Sequence, residues 1–95
     1  MALFVITGED KPGALDLRLK LRPQHLAYMA AHADKVKLGG PYLDGKGDMA
    51  GSLVIIEVDN MAAAQIFAAG DPFAQGGLFE SSDVRPWRVT LGGLA

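Results

Sequence analysis

The chain has 95 residues, of which 49% are apolar, and its 11 acidic and 9 basic side chains give a formal charge of −2 at pH 7. It contains no cysteine, which excludes disulfides, thiolate metal ligands and cysteine nucleophiles and favours a reducing, cytoplasmic location. Without an excess of basic side chains the chain lacks the positive surface that a nucleic-acid backbone requires, so nucleic acid is not an expected partner.

The length predicts one small domain over residues 1–95. No unbroken apolar run is longer than residues 26–31, which is far shorter than the roughly 20 residues of a membrane-spanning helix. We therefore expect no membrane partner. The first residues also lack the basic segment and the small-residue cleavage site of a secretory signal, which favours a cytoplasmic location. A domain of this size buries only about 60–65% of its unfolded surface, which makes association between chains an expectation.

The first two elements are a strand and a long helix. Residues 2–8 are rich in branched and aromatic side chains and end at Gly8, which predicts the strand. Pro23 predicts a kink near Arg22, or two successive helices, because its ring clashes with the preceding turn and its nitrogen cannot donate. The helix itself is predicted over residues 14–34 from apolar side chains at helical spacing: Leu19, Leu26, Met29, Ala30 and Ala33.

A hairpin follows the helix. Residues 36–43 and 52–58 predict two strands, and the second of them is the strongest strand signal in the chain. The residues between them, 44–48, supply the aspartates and glycines of a tight turn. The two strands should therefore pair with each other.

The last third of the chain predicts a helix, a short turn and a strand. Asp59–Asn60 offers an N-cap to an alanine-rich helix over 61–69. Asp71–Pro72 is the cap-then-first-position pattern that begins a short helical turn. Residues 79–91 predict the final strand, in which Pro86 marks a bulge or a sheet edge.

The element order β-α-β-β-α-β predicts an α+β fold of the ferredoxin-like type, with both helices on one face of an antiparallel sheet. Residues 3–6 and 53–56 are apolar at every position, so both faces of their strands should be buried. Two helices can cover only one face. We therefore expect a homodimer or a higher homo-oligomer, in the form of a dimeric α/β barrel with a ligand cavity between helix and sheet.

Two sequence patterns that suggest a cofactor or a metal site lack features that such a site requires. Residues 40–46 match the core of a phosphate-binding loop, but Gly47 stands where a hydroxyl should hold magnesium, and a strand follows instead of a helix. His25 and His32, the only histidines, would lie about 10 Å apart along a helix, too far to share a metal ion. We predict no metal and no cofactor.

The residue pattern alone leaves the roles of the remaining polar candidates open. His25 borders the apolar side of the first helix, where it could reach a cleft or could be a half-buried histidine satisfied by a carbonyl. Asp71 is adequately explained as a helix cap. Arg18 and Arg22 lie one turn apart and could hold an anion, although solvated charge is the default interpretation.

Five short segments together resemble the YciI-like (YCII-related) family over nearly the whole chain. They are Arg22–Ala27, Gly39–Pro41, Gly51–Ser52, Asp71–Phe73 and Gly77. The resemblance implies a dimeric ferredoxin-like α/β barrel with a His–Asp active site, related to muconolactone isomerases and to a chloromuconolactone dehalogenase. It implies His25 as the histidine and Asp71 as the aspartate. The candidate substrate-binding residues beside them are Arg18, Arg22, Gly40, Ser52 and Phe73.

Two functional hypotheses follow. In the first, the protein is a small lyase or isomerase in which His25 removes a proton from a lactone-like or other carbonyl acid, with dehalogenation as one possible outcome and Asp71 orienting the imidazole. In the second, it is a non-catalytic dimeric module that binds a small metabolite or serves as an accessory subunit. Contact between His25 and Asp71 in an apolar cavity would favour the first hypothesis.

Overall fold

The computed structural model describes residues 1–93 and contains a four-stranded antiparallel sheet with three helices. The elements are β1 (Ala2–Asp10), α1 (Leu15–Ala31), β2 (Val36–Leu43), β3 (Met49–Val58), α2 (Met61–Gly70), α3 (Pro72–Gln75) and β4 (Phe79–Trp87). The sheet order is β2-β3-β1-β4, which with the predicted chain order gives a ferredoxin-like α+β fold. None of the helices in this part of the chain is long and apolar enough to span a bilayer.

The two apolar strands, β1 and β3, are neighbours at the centre of the sheet. Phe4 pairs with Ile56 on the face that the helices cover, and Val5 pairs with Ile55 on the opposite face. Ile56 is fully buried, whereas Val5 is only partly buried. Strand β3 pairs with both β1 and β2, so it is a central strand of the sheet.

The core lies between the sheet and the helices. Its fully enclosed cluster joins the inner sheet face to α2 and consists of Phe4, Val54, Ile56, Val58, Ala64 and Phe67. Asn60 begins α2 as predicted, because its side-chain oxygen accepts a hydrogen bond from the Ala63 amide at 2.9 Å. The turn at 44–48 is also confirmed, with Gly47 at φ +85° and the Asp44 amide donating to the Asp48 carbonyl.

Helix α1 differs from the prediction in its continuity and in its buried face. Pro23 lies on the exposed side of one uninterrupted helix, where water can solvate the carbonyl that proline leaves without a donor. The predicted apolar stripe is not the buried face, since Leu19 and Leu26 are 50% and 47% exposed. The inward face instead carries a series of mostly polar or aromatic residues at spacings of three and four: Arg18, Leu21, His25, Tyr28 and His32.

No helix within residues 1–93 covers the outer face of the sheet. This open face carries an apolar patch, which we define as Leu3, Val5, Leu38, Leu53, Ile55 and Trp87. Leu38 and Trp87 are each more than 40% exposed. Strand β4 ends at Trp87, earlier than the predicted residue 91, and places Pro86 on the edge strand as predicted.

Candidate active site

His25 and Asp71 are in direct contact. Nδ1 of His25 lies 2.8 Å from Oδ1 of Asp71, and the two side chains are 13% and 10% exposed. The same carboxylate oxygen accepts a hydrogen bond from the Phe73 amide at 2.9 Å, which is the N-cap bond of α3. Asp71 is therefore both a helix cap and a partner of the imidazole, so the two interpretations of this residue are compatible.

Gly70 and Tyr28 favour the contact between His25 and Asp71. Gly70 ends α2, and a Cβ at this position would lie 2.5 Å from the Tyr28 hydroxyl, so only glycine admits the tyrosine. That hydroxyl donates to the Phe67 carbonyl at 2.9 Å and thereby ties α1 to the end of α2. Burial and, secondly, the negative charge of Asp71 raise the pKa of Tyr28. Tyr28 thus fixes the helix spacing at which His25 meets Asp71.

Arg18 is not solvated, contrary to the default interpretation. It is 3% exposed, its Nε donates to Oδ2 of Asp10 at 2.7 Å, and its Nη2 donates to the Gly51 carbonyl at 2.7 Å and to Oγ of Ser52 at 2.5 Å. Burial of this charge is tolerable because it is paired and hydrogen-bonded. The sequence analysis missed Asp10 because it ended the first strand at Gly8, whereas β1 continues to Asp10.

Arg22 has a different environment one turn further along α1. It is exposed, it lines the same cleft as His25, and it takes part in no salt bridge among residues 1–93. Of the two arginines, Arg22 is the one whose guanidinium is available to a ligand.

Phe73 is fully buried beside the dyad. Its ring stacks on the His25 imidazole with centroids 3.9 Å apart and an angle of 12° between the planes. The Arg18 guanidinium carbon lies 4.5 Å from the centre of the same ring. Phe73 therefore contacts two polar residues of the α1 inner face, Arg18 and His25.

A cleft of about 260 Å³ lies between α1 and the β2–β3 side of the sheet. Six of the seven predicted site residues line it: Arg18, Arg22, His25, Gly40, Ser52 and Phe73. Asp71 does not line this cleft and contacts it through His25. The remaining walls are mainly apolar and include Leu26, Met29, Val36, Pro41 and Val54. The result is a small, mainly apolar cleft with the His25 imidazole and the Arg22 guanidinium in its wall.

His32 lies outside this cleft. Its Nδ1 is 2.8 Å from the Tyr28 carbonyl, and its ring packs against Phe67. No group of three or more His, Cys, Asp or Glu side chains in residues 1–93 is arranged to hold a metal ion.

Comparison with known proteins shows which proteins this chain is similar to. The YCII-related domain matches residues 2–88. Protein YciI of Escherichia coli is 36% identical over 94 residues, which cover 90% of this chain and 96% of the relative. A protein of Haemophilus influenzae is 31% identical over 93 residues, covering 90% of this chain and 95% of that one.

Among solved structures, the 5-chloro-2-hydroxyhydroquinone dehydrochlorinase TftG of Burkholderia phenoliruptrix, in complex with 2,5-dihydroxybenzoquinone, is similar with a TM-score of 0.85. It is 35% identical, and the match covers 90% of this chain and 93% of that one. An antibiotic biosynthesis monooxygenase matches at 18% identity with a TM-score of 0.57, a likeness of fold alone.

Proposed function

Because this chain belongs to the YCII-related family, we propose that it is a lyase or isomerase that removes a proton from a small carbonyl compound with His25 as the base. Family membership and the dehydrochlorinase among similar structures support a small-molecule, enzyme-like role. The observation that carries the proposal is the contact of 2.8 Å between His25 and Asp71 beside an apolar cleft. A paired histidine and carboxylate are the parts that general base catalysis requires.

The contact determines which imidazole nitrogen is basic. An ionised carboxylate only accepts hydrogen bonds, so Nδ1 of His25 carries the hydrogen that Asp71 receives. Nε2 then holds the free lone pair and takes the substrate proton. Asp71 stabilises the imidazolium that forms, as a carboxylate does for a catalytic histidine in other enzymes.

The proposed reaction begins at a carbon next to a carbonyl. Nε2 of His25 accepts the proton, and the electron pair of the broken C–H bond moves toward the carbonyl oxygen as an enolate. In a dehydrohalogenation this pair forms a carbon–carbon double bond while the halide leaves with its own electron pair. In an isomerisation His25 returns the proton to a different carbon.

The cleft suggests how such a substrate would be held. Arg22 offers a cation to a carboxylate or to the enolate oxygen. Ser52 accepts from Arg18 with its oxygen, which leaves its hydroxyl hydrogen free to donate, and Gly40 lies in the same wall. A volume of about 260 Å³ is below the range for drug-sized ligands and is suited to a single-ring molecule.

We also propose that the protein is a homodimer in which the open face of one sheet packs on that of a second copy. The exposed parts of the apolar patch on this face would otherwise remain in water, and the patch lies on a sheet whose inner face the helices already cover. A second copy buries the patch symmetrically and completes the dimeric barrel.

A non-catalytic binding module remains the alternative, and one observation favours it. The N-cap bond from Phe73 accounts for Asp71 without any chemistry. The two functions differ in whether the bound molecule is changed.

The test uses the purified protein with 5-chloro-2-hydroxyhydroquinone, which has a carbonyl in its keto tautomer, and, in parallel, a set of unchlorinated lactones. Chloride release is measured for the first compound, and solvent deuterium incorporation next to the carbonyl is followed by NMR for the others. Catalysis by the parent protein that His25→Ala abolishes supports the proposal. Binding of these compounds without turnover would establish the alternative, and turnover that survives His25→Ala would exclude this base.

A further inference from the structure

We propose that Phe73 is a positioning residue that fixes both members of the His25–Asp71 pair, and that it is not a substrate contact. The catalytic meaning of this role rests on the proposed function, but the positioning itself does not. The sequence analysis placed Phe73 among the substrate-binding candidates. Phe73 borders the cleft, but its side chain is fully buried and the His25 imidazole covers one face of its ring, so a substrate would meet the imidazole before that ring face.

The ring of Phe73 determines the plane of the imidazole. The two rings are stacked 3.9 Å apart and are tilted by only 12°. Rotation of the His25 ring about its Cβ–Cγ bond would drive its edge into the phenyl face. Stacking therefore selects the ring plane, and the bond to Asp71 then selects which nitrogen points away from the cleft.

Arg18 holds the phenyl ring from another direction. Arg18 and His25 are seven residues apart on α1, about 10 Å along the helix axis, and the Phe73 ring lies between their side chains. The guanidinium is 4.5 Å from the ring centre, within cation–π distance, and is itself fixed by Asp10 and Ser52. The ring is consequently clamped between two residues of the same helix.

The backbone of Phe73 fixes the other member of the pair. Its amide donates to Oδ1 of Asp71, the oxygen that also faces Nδ1 of His25. Pro72 occupies the first turn of α3 and restricts the backbone dihedral that aims this amide. One residue thus positions the carboxylate through its main chain and the imidazole through its side chain.

The experiment compares two phenylalanines that each pack against a different histidine. Phe73 stacks on His25, whereas Phe67 packs edge-on against His32 at 5.3 Å between centroids and is also buried. Phe73→Leu and Phe67→Leu each remove one aromatic ring and keep an apolar side chain. The readout is the ¹⁵N spectrum of the two imidazoles, which distinguishes the Nδ1–H from the Nε2–H tautomer.

In the parent, the two nitrogens of His25 should have well-separated shifts, with Nδ1 protonated. Phe73→Leu should move these two shifts toward each other, the signature of exchange between tautomers, and leave His32 unchanged. Phe67→Leu should perturb His32 and leave the His25 tautomer unchanged. A Phe73→Leu protein that folds and keeps the parent His25 spectrum would overturn the proposal.

A measurement on the parent protein covers the case in which Phe73→Leu does not fold. A phenyl face 3.9 Å away shifts the carbon-bound protons of His25 upfield by its ring current. Random-coil shifts for these protons would equally overturn the proposal. If turnover is found, Phe73→Leu should also reduce kcat about tenfold to a hundredfold. Absence of turnover in the parent would refute the proposed function and leave the tautomer result to decide the role of Phe73.

Discussion

Oδ1 of Asp71 lies 2.8 Å from Nδ1 of His25, although the two residues are 46 positions apart in the chain. The same oxygen accepts a hydrogen bond from the Phe73 amide in the first turn of α3. The proposed role in catalysis and the role as a helix cap therefore involve the same atom, and variants must separate them.

Asp71→Asn separates these roles. Asparagine caps helices about as well as aspartate, so the midpoint of thermal unfolding should change little. Its neutral amide cannot stabilise an imidazolium as a carboxylate does, so kcat/KM should fall about a hundredfold or more. His25→Ala should abolish turnover, whereas His32→Gln should stay within a few-fold of the parent. Equal losses in the two histidine variants would contradict the assignment of the base.

The two arginines should differ in what their removal affects. Arg22→Gln should raise KM with little change in stability, because the side chain is exposed and outside any salt bridge of residues 1–93. Arg18→Met should lower the free energy of unfolding by about 3–5 kcal/mol, since it leaves the Asp10 charge buried and unpaired. Adding Asp10→Leu to Arg18→Met should restore part of that loss. Steady-state kinetics tests the expected rise in KM, and denaturant titration tests the expected changes in the free energy of unfolding of the three variants.

Gly39 limits the width of the cleft. It pairs with Val54, and a Cβ at residue 39 would lie 3.4 Å from the Val54 side chain on the wall of the cavity. Gly39→Val should therefore weaken binding of the probe 2,5-dihydroxybenzoquinone about tenfold. Gly45→Val, in the exposed hairpin turn where a Cβ meets nothing within 4 Å, is the matched control. Calorimetry should find no difference between that control and the parent.

The open sheet face predicts a dimer that a single lysine disrupts. Leu53→Lys places a charge in the middle of the apolar patch at a partly buried position, so the fold should persist while light scattering reports a monomer. Ile66→Lys is the control, because Ile66 is 74% exposed on the helix side. Ile56→Lys should unfold the chain, since that residue is fully buried. A monomeric parent at micromolar concentration would refute the dimer.

Tyr28 predicts a loss of stability at alkaline pH. Its pKa is raised in the folded protein above the ordinary value of 10.0, so the neutral hydroxyl is favoured by folding. The corresponding stabilisation is complete below pH 10.0 and is lost as the pH rises through the folded pKa. Tyr28→Phe should remove this part of the pH dependence. Unfolding curves between pH 8 and 11 that are parallel for parent and variant would contradict the contribution of Tyr28.

Sequence analysis predicts the order of the elements because their signals are local. Asn60 and Asp71 cap helices through bonds to amides two or three residues away, and such contacts can be read from neighbouring residues. The hairpin turn after Leu43 is local in the same way. These features account for most of the fold.

The buried face of α1 could not be read in this way. Arg18 faces inward because Asp10, eight positions earlier, and Ser52, 34 positions later, satisfy its guanidinium. Periodicity ranks an arginine as exposed and Leu26 as buried, and here the tertiary contacts reverse both. The His25–Asp71 contact itself required the family resemblance, since nothing local links the two residues.

The two charged pairs beside the Phe73 ring, Arg18–Asp10 and His25–Asp71, form a cluster whose net charge depends on the protonation of His25. While the imidazole is neutral, Asp10 and Asp71 contribute two negative charges and Arg18 one positive charge, so the group carries a net charge of −1. A proton taken up by His25 brings the group to zero. In a poorly hydrated interior an uncompensated charge is costly, so proton uptake at His25 completes the neutralisation of the cluster. In the proposed reaction, the step in which His25 is charged is thus the step in which this cluster has no net charge.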